Sequence, residues 1–268
     1  MSSPALIDTH CHLDVDAFAA DREQVLDRAR SAGVCAIVVP AIAAAAWPDL
    51  LALCDQHADL YPALGLHPVA IGEHQDADVD RLERAIADHH PVAVGEIGLD
   101  AVVGADQMPR QRALFARQLE VARSAELPVL LHVRKAHDAV LHALRRVGVR
   151  NGGIAHAFNG SLEQARRYID LGFHLGFGGM LTFERSTRLR RLARELPLDA
   201  IVLETDAPDL TVASHRYQRN SPEYLPEVLA ALAEVREADP AHVARQTTAN
   251  ARVVFGLPPQ LGAAGSRD

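Results

Sequence analysis

Two imidazoles two residues apart, His10 and His12, follow the apolar lead-in Leu6-Ile7-Asp8-Thr9. On an extended backbone, residues i and i+2 point to one face, so both rings can reach a single cation from the end of a strand. A helix would place them on different sides. The pattern is short, and two unrelated surface histidines satisfy it equally well. Other polar groups recur at the ends of later apolar runs. They are His67 in Gly65-Leu66-His67-Pro68, Glu96 and Asp100 in Gly95-Glu96-Ile97-Gly98-Leu99-Asp100, His132 and Arg134, His156, and Asp206 in Glu204-Thr205-Asp206. Singly, each is as well explained by a structural hydrogen bond, and Asp206 by capping of the next helix. Jointly, four histidines and two carboxylates aimed at one rim would be costly to bury unpaired, and cations remove that cost. Six ligands suit two divalent ions better than one. The expected arrangement places His10, His12 and Asp206 on one ion and His132 and His156 on the other, with Glu96 bridging.

The elements that must position these groups are eight apolar, β-rich runs at 6–12, 34–42, 60–67, 92–99, 128–134, 153–158, 173–179 and 200–206. A helix-period segment follows each, and their starts lie about 20 to 35 residues apart, the length of a βα unit. Alternating β and α implies an α/β fold with a parallel sheet, and eight repeats favour closure into a single-domain (β/α)8 TIM barrel. Barrels of this kind carry their active sites at the C-terminal ends of the strands, which is where the polar residues gather. Helices are expected at 21–32, 111–126, 222–235 and 240–251. Residues 1–256 then form the domain, and 257–268, rich in Gly, Pro and Ala, form a loose tail.

Composition narrows the function classes. The 268 residues are 49% hydrophobic and 23% charged, ordinary for one globular barrel. A net charge of −8 excludes a basic nucleic-acid coat, so nucleic-acid contact has to be local or metal-mediated. Cys11, Cys35 and Cys54 lack metal or disulfide spacing and fit free thiols in a cytoplasmic protein. No leader is evident at 1–4, and Pro40, Pro48 and Asp49 interrupt the most apolar window, 36–53, so no membrane partner is expected. A monomer is expected.

In combination, His10-x-His12, Gly65-Leu66-His67-Pro68, Gly95-Glu96-Ile97-Gly98-Leu99-Asp100, His132-x-Arg134, His156-Ala157-Phe158-Asn159-Gly160 and Glu204-Thr205-Asp206-Ala207-Pro208 resemble the TatD family. That family comprises metal-dependent deoxyribonucleases of the amidohydrolase superfamily. The resemblance runs from residue 6 to about residue 256 and includes Asn220-Ser221-Pro222 and Asn250. It implies a DNA substrate, as single strands or frayed ends, degraded in a 3′–5′ exonuclease mode. The sequence departs from the family at Ala157 and Asn159, where Cys and Ser are frequent, and at Ala101, where an aromatic is common. The chain has one lysine, Lys135, and none on the fourth run. The carboxylated-lysine bridge of many related two-metal barrels is therefore missing, which leaves Glu96 as the bridge.

On this basis a metal-activated hydroxide attacks phosphorus, Asp206 orients it and accepts its proton, and Glu96 is essential. Imidazole-rich ligation favours zinc, manganese or iron, whereas the resemblance implies magnesium. Expected substrate contacts are His67, Asp100, Arg134, Asn159, His215 and Arg216, with Arg219 as a further phosphate candidate. Two other functions compete: an amidohydrolase-type hydrolase of a small phosphoester, lactone or amide, and a non-catalytic metal-binding barrel.

Overall fold

The structure, a computed structural model, describes residues 5–103 and 105–258. Among them, eight strands pair in chain order and all in parallel. These are β1 (Leu6–Asp8), β2 (Val34–Pro40), β3 (Leu60–Leu64), β4 (Ala93–Asp100), β5 (Val129–Arg134), β6 (Gly153–Ala155), β7 (Phe173–Phe177) and β8 (Ile201–Leu203). The seam between first and last is closed by hydrogen bonds. Thr9 donates to the Leu203 carbonyl from its N–H (3.1 Å) and its hydroxyl (3.0 Å), and the Asp206 N–H donates to the His10 carbonyl (2.8 Å). The result is a TIM barrel. Around it run α1 (Arg22–Ser31), α2 (Trp47–Gln56), α3 (Ala77–His89), α4 (Met108–Ser124), α5 (His137–Val147), α6 (Leu162–Ile169), α7 (Thr187–Glu195), α8 (Leu225–Arg236) and α9 (Pro240–Phe255).

All eight expected runs carry a strand, but several ladders are shorter than the runs. β1, β6 and β8 stop three residues in, and His10, His12, His156 and Asp206 lie just beyond them. The apolar pattern continues because the loops over the mouth are as buried as the strands. The helix expected at 222–235 opens with a short 3-10 turn, Pro222–Tyr224, before α8. α9 outlasts its expected end at 251 and stops at Gly256, whose φ of +63° ends a helix at little cost. Within the expected tail, residues 259–268 lie outside the described residues. No helix among those described is long and apolar enough to cross a membrane.

The strands are buried on both faces, as in other helix-covered parallel sheets. Outward residues such as Ile37, Val39, Leu131 and Leu175 join the helices in one core. Ile7, Ala36, Val38, Ala63, Ala93, Leu130, Ile154 and Val202 form a second core inside the barrel, and Ala251 and Phe255 of α9 pack against it with Leu257. Asn250 fixes α9 there by donating to the carbonyls of Leu198 (2.8 Å) and Ile201 (2.7 Å). The N-terminal mouth of the barrel is thus plugged with hydrocarbon.

One irregularity serves the other mouth. Between Val94 and Ile97, three residues of β4 span what two residues of β5 span, which makes a bulge at Gly95-Glu96. A bulge re-aims side chains. Gly95 is required in it, since a Cβ there would lie 2.5 Å from the Cβ of Leu130.

Candidate metal centre

The bulge delivers Glu96, 1% exposed, into the middle of the C-terminal mouth. Its two oxygens face different partners. Oε2 lies 3.1 Å from His10 Nε2 and 3.3 Å from His12 Nε2, and Asp206 Oδ1 is 3.5 Å and 3.9 Å from the same two nitrogens. Oε1 lies 2.9 Å from both His132 Nδ1 and His156 Nε2. Donor atoms bonded to one cation at 2.0–2.2 Å stand roughly 2.8–3.6 Å apart, and all of these separations but the 3.9 Å one fall in that range. All six expected ligands converge here from five strand ends.

The far sides of the rings decide which can be ligands. His12 donates its Nδ1–H to the Pro40 carbonyl (3.1 Å), leaving the Nε2 lone pair for a cation. His132 is the mirror case: its Nε2–H goes to Asp100 Oδ2 (3.2 Å), leaving Nδ1 facing Glu96. His156 Nδ1 is 3.7 Å from Glu204 Oε1. A carboxylate or carbonyl behind a histidine is the usual means of fixing a metal-bound ring. His67 is oriented the opposite way. Its Nδ1 accepts the N–H of Val69 (2.9 Å), so its proton sits on Nε2, 3.2 Å from Glu96 Oε1. His67 is a hydrogen-bond donor pointing into the site, and a donor cannot also offer its lone pair.

The electrostatics fit divalent-cation ligation. Burial pushes the Glu96 carboxyl up, yet His67, His156 and His10 together hold it well below the usual range. Burial and the neighbouring His156 hold His10 well below the usual imidazole range. Burial lowers His12 as well, but Glu96 and Asp206 more than offset this and raise it to about 9. Burial pushes Asp206 up to about 6, against the pull of His156 and His12. Glu96 Oε2, His10 Nδ1 and His156 Nδ1 are buried without a hydrogen-bond partner among the described residues. Imidazole and carboxylate donors crowded this closely, with lone pairs left over, match divalent-cation ligation.

Two buried acids support the cage and were not singled out from the sequence. Glu204 accepts the Ala157 N–H (2.5 Å) beneath His156, and Gly176 makes room for it, because any Cβ there would collide with its carboxylate. The glycine-rich end of the seventh run was the available signal. Asp8 accepts from the N–H of His10 (3.2 Å) and from the N–H (2.9 Å) and hydroxyl (2.5 Å) of Thr205, tying the two seam loops together.

The expected substrate contacts divide. Asp100 is fully buried behind His132 and also accepts the N–H groups of Val102 and Val103, so it has no surface to offer a substrate. Arg134 is 57% exposed at the rim, 3.7 Å from Asp100. Asn159 is exposed on the same rim, its Oδ1 3.2 Å from His137 Nε2. His215 stacks on Tyr224 with ring centroids 3.9 Å apart, and Arg216 lies over the ring of Tyr217 (4.5 Å). Arg219 is committed elsewhere: it makes a two-pronged pair with Asp21 (2.8 and 2.7 Å) that anchors the loop after β8 to the start of α1. Beside Asp206 lies a cavity of ≈ 400 Å³ lined by Phe158, Phe177, Met180 and Leu192.

The chain is similar to known proteins over nearly its whole length. The family model described as "TatD related DNase" matches residues 7–256. The uncharacterized metal-dependent hydrolase YjjV of Escherichia coli is 40% identical, covering 94% of this chain and 98% of that protein. The uncharacterized metal-dependent hydrolase YabD of Bacillus subtilis is 33% identical, covering 94% and 99%. The crystal structure of the Escherichia coli TatD homologue YjjV superposes with a TM-score of 0.91 at 41% identity, again over 94% and 98% of the two chains. A TatD family hydrolase from Entamoeba histolytica, 19% identical, shares the fold with a TM-score of 0.83 over 95% of this chain and 99% of that one. Because the match runs through every strand and loop that carries the Glu96 cage, the chain belongs to the TatD family of metal-dependent hydrolases.

Proposed function

We propose that the chain hydrolyses phosphodiester bonds in DNA from the 3′ end of single strands or frayed ends, using two divalent cations. The observation that carries this is the division of the Glu96 carboxylate, one oxygen toward His10, His12 and Asp206 and the other toward His132 and His156. His10, His12 and Asp206 would hold one cation, His132 and His156 the other, and Glu96 would touch both. Cations bound in this way make water a nucleophile near neutral pH by lowering its pKa toward ~7, and they offset charge on phosphate oxygens.

The remaining work falls to the chain's own side chains. Asp206, raised to about 6 by burial, orients the attacking water and takes its proton. His67 presents its Nε2–H to an anionic oxygen of the substrate. Asp100 positions His132 from behind, and Glu204 positions His156. Arg134 and Asn159 meet the phosphate at the rim. The family description favours DNA, and the proposed metal identity is zinc or manganese on the donor set.

A second reading has one observation behind it. The apolar cavity beside Asp206 has the size of a small-ligand pocket, so it suits either a terminal base or the organic part of a small phosphoester. Metal-loaded protein given end-labelled single-stranded DNA and, in parallel, small phosphodiesters and esters separates the two. Stepwise shortening from the 3′ end, abolished in Glu96→Ala and Asp206→Ala, supports the nuclease. Turnover of the small esters alone overturns it.

A further inference from the structure

Resting on the nuclease reading, we propose that a cleft next to the metal centre is a separate polyanion site, carrying the backbone phosphates of a polynucleotide strand away from the reacting bond. The cleft, ≈ 740 Å³, opens between the loops after β4, β5 and β6, and its walls include Arg112, Arg134, Lys135, His137, Asp138 and Arg188. In a chain of net charge −8, this gathers the sole lysine and three arginines around one acid. That acid is engaged, with Asp138 Oδ1 2.9 Å from Arg167. Arg112 and Lys135 have no carboxylate within ion-pair distance among the described residues, whereas Arg134 reaches only Asp100, at 3.7 Å. The start of α5 adds to the field: it faces the cleft with no side-chain cap, so its free N–H groups and positive dipole end point the same way.

Two residues make the cleft continuous with the reacting centre. Asn159 and Arg188 line both it and the cavity that reaches Glu204 and Asp206. Arg188 donates to the Asn159 carbonyl, and His137 Nε2 meets Asn159 Oδ1 at 3.2 Å, so this shared wall is fixed. The cations come from α4, the end of β5 with the residue after it, and α7. A cleft of ≈ 740 Å³ walled by cations from three separate elements has room for a row of phosphates and not only for one small anion.

The test uses the metal-loaded full chain and a fluorescent phosphorothioate oligothymidylate, which resists cleavage. Affinity is measured against salt for wild type, Arg112→Ala, Lys135→Ala and the double variant, with inorganic phosphate as competitor. Hydrolysis of a chromogenic nitrophenyl phosphodiester is followed in parallel. The double variant is expected to bind the oligonucleotide about tenfold or more weakly at low salt, with the slope of log K against log salt reduced by about 1.4. The small diester is expected to turn over at the wild-type rate. Unchanged affinity and slope in the double variant, no binding by wild type, or displacement by phosphate as readily as by unlabelled oligonucleotide would each overturn the proposal. Oligonucleotide bound through the cleft, but left intact in its unmodified form by an enzyme that hydrolyses the small diester, would leave the cleft standing and remove the nuclease reading.

Discussion

The two mouths of this barrel are made by the same eight strands and hold opposite contents. At the N-terminal mouth, Ile7, Val38, Leu130 and Val202 meet Phe255 and Leu257 in a dry apolar plug. At the C-terminal mouth, the next inward positions carry His10, Glu96, His132, His156 and Glu204, equally buried or nearly so. Burying hydrocarbon stabilises the fold, and burying unpaired polar groups opposes it. One end of each strand therefore supports the other: the plug supplies stability that the buried polar cage gives up.

The largest effect expected from this contrast is at Glu96. Replacing it by Ala removes the one group facing both ligand clusters, so hydrolysis should disappear and at least one ion per chain should be lost in elemental analysis. Far-UV circular dichroism should stay that of the wild type. A collapse of the fold would show that the cage is structural and would break the contrast. At the opposite mouth, Phe255→Ala should cost about 3–5 kcal/mol of stability through the cavity it leaves. Activity per folded molecule should be unchanged. Chemical denaturation together with rate measurements well below the transition checks both statements.

Asp100→Asn should act between these extremes. Metal affinity is expected to fall about 10- to 100-fold, as when a carboxylate behind a ligating histidine is lost, while kcat recovers at saturating metal. Failure to recover would place Asp100 in the chemistry. The smallest effect is at the N-terminal face, where Arg30 holds Asp59 through two hydrogen bonds of 2.7 and 2.8 Å. Burial pushes the Asp59 carboxyl up, but Arg30 more than offsets this and leaves it below the usual range. Its folded pKa being the lower one, the stabilisation is present above the unfolded value of about 3.9 and is lost as pH falls through the folded value. Asp59→Asn should lower stability at neutral pH by less than about 1 kcal/mol for so exposed a pair. The difference should vanish in acid, which melting curves across that range would show.

The barrel was legible in the sequence because each strand leaves a short apolar run and each helix a longer periodic one. His10, His12, Glu96, His132, His156 and Asp206 were legible because strand ends in a barrel share one rim, so chain order alone brings them together. What sits behind them was not. Whether Asp100 faces substrate or His132 depends on the bulge at Gly95-Glu96, a backbone event that side-chain pattern does not announce. Arg219 looked like a phosphate contact, but its partner Asp21 is 198 residues away, and only the closed fold brings the two together. Glu204 was hidden by the more prominent Asp206 two places on. The plug was missed because α9 was expected to end at 251, before Phe255 joins the interior core.

The seam between β1 and β8 sets an order of assembly. Glu96, His132 and His156 come from the neighbouring strands β4, β5 and the end of β6, so this half of the cage can form from the middle of the chain alone. His10 and His12 gain Asp206 only when the two edges of the sheet join, through Thr9 with Leu203 and His10 with Asp206. Contacts this distant in sequence are slow to form. Residue 206 has to be made, and the seam closed, before Asp206 can join His10 and His12.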